Sequence, residues 1–188
     1  MQKIILASTS PRRKQLLEQA NIPFEVITKP IKEEYSPTLP IKKIATHIAQ
    51  KKAKAVAAIH PNRIVLAADT IVVMHNTILG KPKDRDTAIH MLQVLSNQMH
   101  VVITGVCIQQ HDKEEVFSAT TKVHFNLLTA KQIEYYVNTY NPYDKAGAYG
   151  IQDWIGIIGV HYIEGDFYNV MGLPVSLVFK ALEKLSPN

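Results

Sequence analysis

The stretch Ile64-Val65-Leu66-Ala67-Ala68-Asp69-Thr70-Ile71-Val72-Val73 decides how the chain is read. Its apolar run marks a buried strand over 64–75 that carries a carboxylate, Asp69, in its middle. An ionised carboxylate among alanine, isoleucine and valine is costly to bury without compensation. A metal ion, or a nearby lysine or arginine, would supply that compensation at a functional site. A structural pairing or a cap on a neighbouring turn would supply it elsewhere.

On the C-terminal side of this strand, a turn near His75-Asn76 and a short return segment lead to Gly80. A helix is expected at 85–96, then strands at 99–110 and 115–128 joined by His111-Asp112-Lys113. Thr129 with Gln132 forms a capping box for a helix ending near Tyr140. Residues 142–172 are rich in glycine and turns, and a helix over 174–185 follows. On the N-terminal side, helical spacing runs from Leu39 to His60, after a loop at 30–38 and a strand at 24–28. A first strand at 3–8 meets Ser10-Pro11, an N-cap and a first-turn proline, opening a helix with Leu16, Leu17 and Ala20 inward. This alternation predicts an α/β or α+β fold with a large twisted mixed sheet and helices around it.

A length of 188 residues suits one domain or two closely joined lobes. The single cysteine excludes an internal disulfide framework. No apolar stretch approaches the roughly 20 residues of a membrane span, and the first apolar run is too short for a signal peptide. The cytosol is therefore the expected location. A net charge of +5 suits a polyanionic partner without choosing among nucleic acid, nucleotide and acidic protein.

Three further groups of residues can carry chemistry. Leu6-Ala7-Ser8-Thr9-Ser10-Pro11-Arg12-Arg13 ends a strand and opens a helix, whose unpaired amides bind phosphate readily. Two arginines add bidentate oxyanion donors, although a capped helix with solvated arginines has the same sequence. On a wheel, Ile41, Ile44, Ile48, Ala55 and Ile59 define the buried face of the 39–60 helix. Lys52 lies about 45° and Lys51 about 55° from its centre, whereas Lys42, Lys43 and Lys54 lie more than about 100° away. Lysines at that edge either reach a cleft or snorkel to water. Lys81 stands in Gly80-Lys81-Pro82, and no P-loop signature is present. In Asp144-Lys145-Ala146-Gly147-Ala148-Tyr149-Gly150-Ile151-Gln152, small residues permit close backbone approach to a flat ligand, and Gln152 can read a base edge. A tight structural turn is the alternative there. The eight histidines lack metal-ligand spacing, Cys107 reads as core, and Trp154, Tyr135, Tyr136 and Tyr140 read as packing.

These segments together resemble the Maf family of nucleoside triphosphate pyrophosphatases. The matching pieces are LASTSPRR at 6–13, KKAKAVA at 51–57, LAADTIVV at 66–73, GKP at 80–82, ITG at 103–105, DKAGAYGIQ at 144–152 and NVMGLP at 169–174. They stand in the family's order and span nearly the whole chain. The resemblance implies one domain over 1–188, with an α/β fold similar to the inosine triphosphate pyrophosphatases and two lobes around a cleft. It implies cleavage between the α- and β-phosphates with Mg²⁺ or Mn²⁺, a homodimer, and neither nucleic acid nor membrane as partner.

Residue by residue, the resemblance makes Asp69 the base on the attacking water and a metal ligand. Ser8, Arg12 and Arg13 match phosphate-loop positions, and Lys52 and Lys81 match basic residues facing the triphosphate. Glu33 matches a family acid that would share the metal, with Glu34 beside it leaving the assignment open by one residue. DKAGAYGIQ resembles the branch acting on dTTP and UTP in nucleotide-pool house-cleaning, with Arg12, Thr70 and Gln152 as specificity residues. Ser96-Asn97 departs from the family's Ser-Gly, and asparagine tolerates the same left-handed backbone. The rivals are a nucleic-acid-binding module, disfavoured by basic residues scattered among acids, and an interaction protein that keeps the fold without catalysis.

Overall fold

The computed structural model describes residues 2–185. It begins with β1 (Ile4–Leu6), α1 (Pro11–Gln19), β2 (Phe24–Val26) and α2 (Ile41–Ala57). Next come β3 (Val65–Met74), β4 (Thr77–Leu79), α3 (Arg85–Leu95) and the long strands β5 (Met99–Gln110) and β6 (Lys113–Phe125). α4 (Ala130–Tyr140) leads through short 3₁₀ turns at Pro142–Asp144 and Ala146–Ala148 to α5 (Trp154–Gly159). β7 (Val160–Glu164), α6 (Phe167–Met171) and α7 (Val175–Leu185) follow. The strands form a seven-stranded sheet in the order β2-β1-β3-β5-β6-β7, with β4 paired to β3. β1 is parallel to β2 and β3, whereas β4 and β7 are antiparallel to β3 and β6. The sheet is mixed and helices accompany it, as the alternation predicts. No helix among the described residues is long and apolar enough to cross a membrane.

The chain divides into two compact units, one of residues 1–69, 104–119 and 172–188, the other of residues 70–103 and 120–171. In the first, β1 is fully buried and pairs Ile5 with Val65 and Leu6 with Leu66. Ala49, Ala53, Val56 and Ala57 of α2 pack with Ile5, Ala7, Val65, Ala67 and Cys107. The expected helix face is corrected here. Ile44 and Ile48 are buried, but Ile59 is 54% exposed beyond the end of α2, while Ala45, Ala49 and Ala53 are fully buried. Small side chains bring the α2 backbone against the sheet, so size of apolar residue misjudges which face is inward. At Gly105 a Cβ would run into the backbone of Ala45 and Thr46. Cys107 is core as expected, its thiol pushed up to about 12 by burial first and Glu114 second.

At the start of α1, Pro11 takes the first turn as expected, but Ser10 makes no side-chain cap bond. The Ser8 hydroxyl accepts from the Ser10 amide instead, at 3.3 Å.

In the second unit, β3 and β4 form a hairpin whose two loop residues, His75 and Asn76, have φ of 47° and 61°. A two-residue loop needs such left-handed angles to match the strand twist. Asp84 caps α3 by accepting from the Thr87 amide, and Thr129 with Gln132 makes the expected capping box on α4. Asn97 has φ 56°, the left-handed backbone expected of it. Most elements are a residue or more shorter at their ends than expected, and the limits of β6 differ for a visible reason. Lys113 opens β6 because His111-Asp112 alone makes the turn, and β6 ends at Phe125 rather than 128. The Leu128 amide donates to the Ser96 hydroxyl at 2.7 Å, outside any strand ladder. Within 142–172, α5, β7 and α6 are each too short to show a period in sequence.

His100 is buried in this unit, edge-on to Phe125 and Tyr149, with Nε2 2.7 Å from the Tyr149 hydroxyl. Burial, and secondarily His124, brings its pKa down to about 4.

Two outcomes are expected. Gly105→Ala should destabilise the protein by about 2 kcal/mol or more in urea unfolding, since the α2 backbone has no room to yield. His100 stays neutral in the folded chain while the unfolded chain takes a proton below about pH 6.5. Stability should therefore be unaffected by this group above that pH and fall between about 6.5 and about 4 by on the order of 3 kcal/mol. His100→Gln should flatten that part of an unfolding free energy measured against pH.

Candidate active site

Between β1 and α1 the chain turns through residues 7–10 and presents the α1 N-terminus. Ser8 and Arg13 are both buried. Arg13 Nη1 donates to the Ser8 hydroxyl at 3.0 Å, and Nε donates to the Gly172 carbonyl at 2.8 Å. Gly172 has φ 119°, a conformation side-chain-bearing residues rarely adopt. Desolvation is the main influence on Arg13 and lowers its pKa, as Arg12 does, while Asp69 and Glu33 act in the opposite sense. A guanidinium remains charged under such a shift. Arg13 is thus a seated cation rather than a solvated one. Arg12 is half-buried.

Asp69, on β3, and Lys52, on α2, come together. Lys52 Nζ lies 2.7 Å from Asp69 Oδ1 and 2.7 Å from Glu33 Oε1. Lys52 extends the i, i+3/i+4 row of Ala45, Ala49 and Val56, which puts it at the margin of the face that packs inward. Glu33 comes from a loop without regular structure between β2 and α2, where Lys51 Nζ also donates to the Glu34 carbonyl at 3.0 Å. It is the Glu33 carboxylate that meets Lys52, whereas Glu34 contributes its backbone carbonyl to Lys51.

Two carboxylates on one nitrogen also test the metal expectation. Among the described residues no group of three or more histidine, cysteine, aspartate or glutamate side chains is placed to hold a metal. Mg²⁺ favours oxygen ligands and typically takes one or two carboxylates, with phosphates and water completing its shell. Asp69 and Glu33 fit such an ion.

Thr70, Lys81 and Gln152 belong to the second unit. Thr70 is half-buried directly after Asp69 on β3, and Lys81 is exposed after β4. The Gly80 carbonyl accepts from the Gly147 amide at 3.0 Å, which ties the Lys81 loop to the 146–148 turn. Gln152 Nε2 donates to Asp153 Oδ1 at 3.2 Å, and Gln152 Oε1 is buried without a hydrogen bond. Asp153 is in turn held by the Tyr136 hydroxyl at 2.6 Å, and that hydroxyl accepts from the Gly150 amide at 3.1 Å. Burial first, and Asp153 second, raise the Tyr136 pKa, so the phenol stays protonated and donates.

The family model described as "Maf-like protein" matches residues 3–185. This chain belongs to the Maf family. A relative from Cytophaga hutchinsonii named dTTP/UTP pyrophosphatase is 50% identical over 182 residues, 97% of this chain and 84% of that protein. Relatives of the same name from Phocaeicola vulgatus and Porphyromonas gingivalis are 49% and 45% identical over 185 residues. These cover 97% and 96% of this chain, and 96% and 93% of those proteins. Solved Ham1 proteins from Staphylococcus aureus and Coxiella burnetii align over 66% of this chain at 18% and 15% identity. They are covered over 72% and 73% of their lengths with TM-scores of 0.42 and 0.45, too slight a likeness to argue from.

In this Maf chain two orienting residues, Tyr136 and Asp153, escape a reading by motif, and a third, Gly172, has no role assigned within its motif. Asp153 follows the quoted DKAGAYGIQ segment, Gly172 lies within NVMGLP, and Tyr136 looks from sequence like plain packing. Removing the Tyr136 hydroxyl leaves the Asp153 carboxylate and the Gly150 amide short of a partner. Tyr136→Phe should cost about 1–3 kcal/mol in chemical denaturation, as leaving buried polar groups unpaired does.

Proposed function

We propose that this Maf protein hydrolyses dTTP and UTP to the monophosphate and pyrophosphate, clearing such nucleotides from the cellular pool. The observation that carries the reading is the Lys52 ammonium shared by Asp69 and Glu33, in a chain that also seats Arg13 at a helix N-terminus. Relatives at 45–50% identity over nearly the full chain bear the matching name.

Pyrophosphate release needs positioning and neutralisation of negative charge more than covalent chemistry. The Ser8–Arg13 loop receives phosphate oxygens, with Arg13 already desolvated and fixed, so little reorganisation accompanies binding. Lys52, Lys81 and Arg12 add positive charge toward the leaving pyrophosphate. Asp69 takes the proton of the attacking water. A divalent metal, Mg²⁺ or Mn²⁺, held by Asp69 and Glu33 would neutralise phosphate oxygens and lower the pKa of its water. Gln152, with Arg12 and Thr70, reads the base. Its Nε2 is taken by Asp153, so its oxygen is the atom left to accept, which suits the imide N–H of thymine or uracil. The same reading has residues 1–188 working as one catalytic domain, as a homodimer, with neither nucleic acid nor membrane as partner. A lone buried thiol suits the reducing cytoplasm.

Pyrophosphate release measured across a nucleotide panel with Mg²⁺ tests this. dTTP and UTP should turn over well ahead of GTP, because a site built for one hydrogen-bond pattern rejects another. Asp69→Asn should lose ~10²-fold or more, as loss of a general base does. Equal turnover of GTP would overturn the specificity, and near-normal turnover by folded Asp69→Asn the mechanism.

A further inference from the structure

The Lys52 ammonium is held by the same two acids, Asp69 and Glu33, that would hold a metal. Its Nζ is 2.7 Å from an oxygen of each acid; the side chains of Lys52 and Asp69 are 18% and 14% exposed, and that of Glu33 55%. The Lys52–Asp69 pair is screened less than one on open surface. Asp69 alone would be satisfied by one ammonium. The second acid is brought in on an irregular loop, and nothing in strand packing calls for it.

We propose that Lys52 is an internal stand-in for the metal: in the free protein it holds both carboxylates and keeps a divalent ion out, and it gives them up when a polyphosphate arrives. Mg²⁺ binds oxygen at about 2.0–2.1 Å, and Nζ already occupies one oxygen of each acid. Two cations side by side would also repel. The lysine is suited to the exchange. Its stem is rooted on α2 beside the buried Ala49, Ala53 and Val56, while four flexible carbons leave the ammonium free to swing. A triphosphate offers that ammonium a new partner and offers the metal the further oxygens it needs. Metal and nucleotide are therefore taken up together, and the free protein holds metal weakly. The proposal rests on the pyrophosphatase reading only for what draws Lys52 away, since the occupancy belongs to the nucleotide-free chain.

The test is Mn²⁺ binding to the full chain without nucleotide, followed by the electron paramagnetic resonance signal of the free ion. Wild type should bind weakly. Lys52→Met should bind one Mn²⁺ at least roughly tenfold tighter, the effect of removing one competing charge from a sheltered site. Adding Asp69→Asn to that variant should abolish the gain. Lys52→Gln, which keeps a polar end without the charge, carries the same expectation if the methionine variant does not fold. Equal affinity in wild type and the neutral variants, or a gain that survives Asp69→Asn, overturns the proposal. Neither arm uses nucleotide, so a chain without pyrophosphatase activity would fail the functional reading and leave this result readable on its own.

Discussion

A carboxylate in the middle of an apolar strand has to be answered by positive charge, and much of the first unit is arranged around that answer. β3 carries Asp69 out of Ala67 and Ala68, both fully buried. The answering cation must come from a neighbouring element that lies close and cannot drift. α2 meets this need because alanines face the sheet and Gly105 lets its backbone touch the strand. A helix held off by larger side chains would carry Lys52 too far out. Packing density and the electrostatics of Asp69 are thus one problem, solved by small residues.

Arg13 poses the same problem with the signs reversed. Burying a guanidinium is unfavourable unless its donors are used, and the structure uses them on a hydroxyl and a main-chain carbonyl. Burial is the largest influence on Arg13, and the nearby Asp69 and Glu33 carboxylates act on it in the opposite sense. Such a cation is well prepared to meet a phosphate, because water has already been removed from it.

The sequence made some of this legible and hid the rest for physical reasons. The strand through Asp69, the hairpin at His75-Asn76, the α3 and α4 helices and the capping box at Thr129 follow from local rules: apolar runs, turn chemistry and side-chain caps. Lys52 could be placed at the edge of a buried face, of which Ile44 and Ile48 are part but Ala45, Ala49 and Ala53 make the closest approach to the sheet. What stayed hidden depends on contacts distant in sequence. That Glu33 rather than Glu34 meets Lys52 is decided by the path of an irregular loop, which has no period to read. Tyr136 and Asp153 share a bond across 17 positions that neither local sequence announces. α5, β7 and α6 span five or six residues each, too few to repeat a pattern.

The bond from Arg13 Nε to the Gly172 carbonyl joins positions 159 apart in the chain. During synthesis the N-terminal loop leaves the ribosome long before the segment that seats its arginine has been made. Nascent chains stopped short of residue 172 therefore carry the loop, the helix and the acids, yet hold an arginine without its main-chain anchor. The loop between β1 and α1 gains this anchor only after the segment around residue 172 has been made.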